Sequence, residues 1–137
     1  MKKNKLSIIL VIIWALIIFI MSSFNAEESA NQSNFIVNII ASIFNINNIS
    51  LLSLIIRKLA HFTEYLILGV LVINMFTKNN VRKSYLLSIL LCIIYATSDE
   101  IHQIFTPGRA CQIKDILIDS IGSITGIYLF KLLKKRK

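Results

Sequence analysis

Proline occurs once and glycine four times in 137 residues, so the chain has little with which to punctuate a fold rich in loops and hairpins. Two cysteines exclude a disulfide framework, and Cys92 and Cys111 are expected to be unpaired thiols. Only seven residues are acidic, and 16% are charged, which leaves too little polar surface to clothe a water-soluble domain of this size. No motif of a nucleic-acid module appears. The net charge of +8 is accounted for by basic segments beside anionic lipid.

What is abundant is apolar sequence: 55% of the residues are hydrophobic. Runs of about 20 apolar residues are long enough to cross the hydrocarbon core of a bilayer as helices. Four occur, at Leu6–Phe24, Leu59–Phe76, Tyr85–Phe105 and Ile116–Leu133, and the second has room to start earlier, at "LLSLII" (Leu51–Ile56). They predict an all-α integral membrane protein with one domain over residues 1–137 and four transmembrane helices. The first run follows a basic "KKNK", but its length and the bulky Phe24 before Ala26 argue for an uncleaved span rather than a signal peptide.

The basic residues predict an orientation. Eleven of the 15 Lys and Arg lie in three places: Lys2, Lys3 and Lys5; Lys78, Arg82 and Lys83; and Lys131, Lys134, Lys135, Arg136 and Lys137. The positive-inside rule puts both termini and the loop after the second span in the cytoplasm. Between the first two spans, Phe35, Ile36, Ile39, Ile40, Ile43 and Phe44 recur at helical spacing opposite Asn34, Asn38, Ser42 and Asn45. That pattern predicts a short amphipathic helix over residues 34–45, at the outer interface, with Ser50 as the cap of the next helix.

Against this background the segment "TSDEIHQIFTPGRACQIKDILID" (Thr97–Asp119) stands out, because four of the seven acids lie within it. Pro107 and Gly108 make it a turn between antiparallel neighbours. The expected topology brings three groups to one depth near the outer surface: Arg57, Lys58, His61 and Glu64; Asp99, Glu100, His102 and Gln103; and Lys114, Asp115 and Asp119. Arg57, His61 and Glu64 share one helix face; Asp115, Asp119, Gly122 and Gly126 share another, whose small residues permit a close helix contact. An ionisable side chain facing hydrocarbon costs at least ~2.5 kcal/mol, so these groups are expected to face the bundle interior.

The cluster admits four readings. The first is acid–base chemistry on a lipid-linked envelope substrate, in which His61 is base, Glu64 its orienter, Asp99, Glu100, His102 or Asp119 supplies acid chemistry, and Arg57, Lys58, Tyr65, Gln103, Arg109 and Asp115 bind. The second is recognition without reaction, led by Arg109 on its turn. The third is a divalent metal on His61, Glu64, Asp99, His102, Asp115 and Asp119, although no tight two-histidine motif is present. The fourth is a structural ion network that pairs Arg57, Lys58 or Arg109 with the acids. No nucleophile signature or phosphate loop selects the enzyme reading, and the residues name neither metal nor cofactor.

"SSFNAEES" (Ser22–Ser29), "KLAHFTEYLILG" (Lys58–Gly69) and "SDEIHQIFTPGRACQIKDILIDSIGSITG" (Ser98–Gly126) together resemble the VanZ-like family of bacterial membrane proteins, over nearly the whole chain. Its pattern has a basic residue before His-Phe and Glu-Tyr, then Asp-Glu-x-His-Gln, a Pro-Gly-Arg turn and Asp-x-x-x-Asp; Ala110-Cys111 after the turn is a small departure. The resemblance implies a multi-pass protein of the bacterial cytoplasmic membrane and a phenotype, lowered susceptibility to teicoplanin, a lipid-tailed glycopeptide. It implies membrane lipids and a lipid-linked cell-wall precursor or lipoglycopeptide as partners. It supplies neither a reaction nor an oligomeric state, and most members are encoded outside resistance clusters.

Overall fold

The computed structural model describes residues 4–135. Lys2, Lys3, Arg136 and Lys137, together with the side chain of Lys135, lie outside the described residues although the charge argument uses them. There are five helices in chain order: α1 (Lys5–Ser22), α2 (Ala26–Phe44), α3 (Ile49–Lys78), α4 (Ser84–Gln103) and α5 (Ile113–Lys135). Of these, α1, α3, α4 and α5 are long and apolar enough to cross a membrane.

The helix ends depart from the hydropathy runs for local reasons. At the end of α1, Ser23 turns its hydroxyl back onto Phe19 O, and the helix stops short of Phe24. The helix α2 begins eight residues before the periodic stretch at 34, because Asn25 and Glu28 form a reciprocal capping box. Its last turn closes on Asn45 in the left-handed region, at φ 50°. Asn48, not Ser50, caps α3 by accepting from Leu51 N at 3.1 Å. With 30 residues, α3 starts ten before the expected Leu59, so Arg57 and Lys58 lie inside a continuous helix. The fourth span likewise starts three residues early, at Ile113.

The central element is α3, which packs against each of the other four helices. Its partnership with α5 is the closest. A Cβ on Gly122 would come within 2.5 Å of Phe62 O, one on Gly126 within 2.0 Å of Leu66 O, and one on Gly69 within 2.2 Å of Ser123 O. Contacts therefore advance in the same direction on both helices, and α3 and α5 run parallel with their backbones nearly touching. The small-residue face expected on the fourth span is used here, inside the bundle.

Polar cross-links set the remaining directions. Trp14 Nε1 donates to Glu64 O at 2.9 Å, while Asn4 N meets Asn79 Oδ1 at 2.8 Å, so α1 runs antiparallel to α3. Tyr95 donates to Ala15 O at 2.6 Å, and Ser22 reaches Asp99, so α1 and α4 are parallel. The apolar core gathers Ile18, Tyr65, Leu68, Val72, Cys92 and Ala96. Outward-facing residues such as Ile94, Leu117 and Ile121 are exposed, and an apolar exterior of this kind suits lipid contact.

Candidate functional site

The site lies at the end of the bundle that carries the α4–α5 turn. That turn is fastened at two points. Glu100, fully buried, accepts from Gln103 Nε2 and from Gln112 N, each at 3.0 Å, so one carboxylate ties the end of α4 to the approach to α5. On the other side, Ala26 N donates to Pro107 O at 3.3 Å, joining the start of α2 to the turn. Gly108 occupies φ +74°, where a side chain would be strained. These restraints hold Arg109 over the helix ends.

Three pairs then form between elements. Lys58 Nζ binds Asp115 Oδ1, joining α3 to α5. One helical turn further in, His61 Nδ1 faces Asp119 Oδ1 at 3.7 Å, a separation too long for a hydrogen bond. Ser22 Oγ donates to Asp99 Oδ1 at 2.6 Å, which brings the end of α1 into the cluster. Among the described residues, neither Arg57 nor Arg109 makes an ion pair. Of the expected pairing of Arg57, Lys58 or Arg109 with the acids, the structure therefore forms the lysine pair, beside one loose histidine contact, and leaves both arginines out of it.

Several buried polar atoms have no hydrogen-bond partner: His61 Nδ1, Tyr65 Oη, Asp99 Oδ2, His102 Nδ1, Arg109 Nε and both oxygens of Asp119. Native interiors tolerate few such groups, and their concentration at one end of the bundle makes that end the candidate site. Burial lowers the pKa of the Arg109 guanidinium, and the neighbouring Arg57 charge acts in the same direction, with Asp99, Glu100 and Glu64 opposing from a distance. An arginine remains cationic at neutral pH even so.

Two cavities open among these side chains. The larger, about 320 Å³, is lined by Arg57, Lys58, His61, Gln103, Arg109 and Asp115, with Gln112 and the backbone of the turn. The smaller, about 180 Å³, lies between α1, α2 and α3 against Met21, Ser22, Ser33, Ile36, Ala60 and Glu64. Arg57, His61 and Arg109 line both, so the two spaces meet at three cationic or titratable side chains.

The residues singled out by sequence fall into three groups. Arg57, Lys58, His61, Glu64, Gln103, Arg109 and Asp115 line one or both cavities. Asp99, Glu100 and Asp119 are buried behind that lining, at 3%, 0% and 0% exposure, Asp119 backing His61 and Glu100 anchoring the turn. Tyr65 and His102 line neither cavity. Tyr65 sits in the apolar core with its ring 6.2 Å from that of Tyr95, and His102 lies against Phe19 at 4.5 Å. In the sequence reading Glu64 orients His61; in the structure Asp119 faces the imidazole. Among the described residues, no three His, Cys, Asp or Glu side chains converge as a metal site would require.

Sequence reasoning passed over Ser22, Gln112 and the cavity-facing side of α2, namely Ser29, Gln32 and Ser33. The Asn25-x-x-Glu28 capping box was the available signal that "SSFNAEES" leads into a helix.

The chemistry available here is that of a guanidinium pair, an ammonium and an imidazole facing enclosed space, with carboxylates set behind them. Guanidinium groups match carboxylate and phosphate oxygens in a bidentate geometry. Searches of curated proteins and of solved structures returned no match. The VanZ/LLP1 family model, by contrast, matches residues 7–134, and the chain belongs to that family.

Proposed function

We propose that this protein binds the anionic head group of a lipid-linked envelope component at the outer face of the bacterial cytoplasmic membrane. The observation that carries the reading is the placement of Arg57 and Arg109, which line both cavities and have no ion-pair partner among the described residues. Two like charges held together in partly desolvated surroundings repel each other, and an anion between them relieves that repulsion. Lys58 and Gln103 complete the polar rim. In this reading both termini and the α3–α4 loop are cytoplasmic, α2 lies at the outer interface as an amphipathic cover, and the α4–α5 turn faces outward. Lowered susceptibility to teicoplanin is then a consequence of handling envelope lipids or the lipid-tailed drug at this site.

A second reading adds chemistry on the bound head group. It is supported by His61, whose Nδ1 is turned to Asp119 while the residue lines both cavities. A carboxylate behind an imidazole fixes the ring and its tautomer, and such contacts tighten when substrate arrives.

Purified protein in nanodiscs of neutral lipid, titrated with a panel of lipid-linked phosphates and carboxylates, tests both. Loss of one charge-assisted hydrogen bond is worth roughly 1.5–3 kcal/mol, about ten- to a hundredfold in affinity. Arg109→Ala is expected to show that loss and Arg109→Lys a smaller one. Unchanged affinity in the double variant Arg57→Ala, Arg109→Ala overturns the binding reading. Ligand recovered chemically altered, with turnover abolished by His61→Ala and by Asp119→Ala, establishes the second reading; ligand recovered intact across the panel removes it.

A further inference from the structure

The smaller cavity is not needed to hold an anion, yet it shares Arg57, His61 and Arg109 with the larger one. Its far wall is apolar and comes from three helices: Met21 of α1, Ile36 of α2, and Ile56 and Ala60 of α3. Met21 and Ile36 are also 38% and 50% exposed, so the space is open to the surroundings where α1 and α2 diverge. On the α2 wall, beside Ser29 and Gln32, the Ser33 hydroxyl is turned back onto the carbonyls of Ser29 and Ala30, at 3.2 and 2.9 Å.

We infer that this cavity is the seat of the chain-bearing segment of the ligand, which enters sideways from the membrane between α1 and α2, past Met21 and Ile36, with its anionic group leading into the larger cavity. The inference rests on the head-group reading and narrows it to a membrane-resident lipid phosphate rather than a free anion. Continuity supports the assignment: an anion between Arg57 and Arg109 has apolar walls beginning at those same residues. Size supports it too: about 180 Å³ is room for the first carbons of a chain whose remainder stays in the bilayer. Because the chain is already in hydrocarbon before it enters, the slot gains little hydrophobic free energy; it selects by shape and holds the head group in register.

The test uses two probes that share phosphate chemistry, glycerol 3-phosphate and dioctanoyl phosphatidic acid, bound to the full chain in neutral nanodiscs. Ala60→Trp and Ser33→Trp fill the slot from opposite walls, α3 and α2, so that one remains informative if the other fails to fold. Either variant, folded as judged by size exclusion and melting temperature, is expected to weaken the phosphatidic acid at least tenfold and to leave glycerol 3-phosphate within twofold. Arg109→Ala should weaken both probes. If the tryptophan variants leave the phosphatidic acid unchanged while Arg109→Ala still weakens it, the slot assignment is wrong and the head-group reading stands. If wild type binds glycerol 3-phosphate as tightly as the lipid, the ligand is a free anion and lateral entry is overturned. If Arg109→Ala leaves both probes unaffected, the head-group reading fails and the slot assignment with it.

Discussion

Asp99 is 3% exposed, and Ser22 donates to its Oδ1 at 2.6 Å. Removing that donor takes from a buried carboxyl its short hydrogen bond. Ser22→Ala is therefore expected to cost roughly 1–3 kcal/mol, read from unfolding of the protein in detergent. Ser22→Thr, which keeps a hydroxyl, should retain most of that stability. If both variants unfold alike, the hydroxyl contributes nothing and the contact is only steric. At this scale the sequence was a partial guide. Helix spacing put Arg57, His61 and Glu64 on one face, and in the structure those three line the smaller cavity together with Arg109 of the turn. Tyr65 and His102 escaped it. Neighbouring residues on a helix differ by about 100° in direction, and which side meets a cavity depends on partners far away in the chain. Tyr65 adjoins Glu64 in sequence but points into the apolar core, and His102 turns to Phe19 of α1.

At the scale of elements, the pairing of α3 with α5 decides whether the site exists. Lys58 meets Asp115, His61 meets Asp119, Phe62 meets Gly122 and Leu66 meets Gly126, a ladder that climbs α5 by about one turn at each step while moving the same way along α3. The lower rungs are backbone contacts, so they set the separation at which the upper, ionisable rungs face each other. A methyl group on Gly126 cannot be absorbed by a flexible side chain, since Leu66 O and the backbone of Val70 lie in its way. Gly126→Ala should push the helices apart, lowering stability by roughly 1–3 kcal/mol as overpacking does, and weakening ligand binding although Gly126 lines neither cavity. A substitution of comparable size on the exposed face, Leu129→Met, should alter neither measurement; equal behaviour of the two variants would mean that the close approach is unimportant. The glycine spacing was readable in the sequence, whereas its partner helix was not, because a small-residue stripe carries no address. The early start of α2 was hidden for a different reason, and that of α3 was signalled only in part, by the apolar Leu51–Ile56. Hydropathy registers where a chain is apolar, while a helix begins where it is capped, and Asn25 and Asn48 lie outside the apolar runs.

For the molecule as a whole, the remaining question is which side of the membrane the site faces, and the chain carries its own reporter. Its two cysteines are both free; Cys92 is buried in the bundle core, and Cys111 is exposed just after the α4–α5 turn, beside the polar cavities. Basic residues at the opposite end, including Lys78 and Lys131, predict that this turn is outside. A membrane-impermeant maleimide added to intact spheroplasts should then label wild type at Cys111, and labelling should disappear in Cys111→Ser without any contribution from Cys92. The buried thiol makes the assignment unambiguous, since it responds only when the bundle unfolds. Labelling that appears only after permeabilisation would place the turn in the cytoplasm. The cavities would then face metabolites and inner-leaflet lipids, and direct action on an extracellular drug such as teicoplanin would be excluded. The contact between α3 and α5 would be unchanged by that reversal, because both spans keep the same direction relative to each other whichever way the protein inserts. Orientation and site geometry are thus separable properties of this fold, and the cysteine experiment decides the first without disturbing the second.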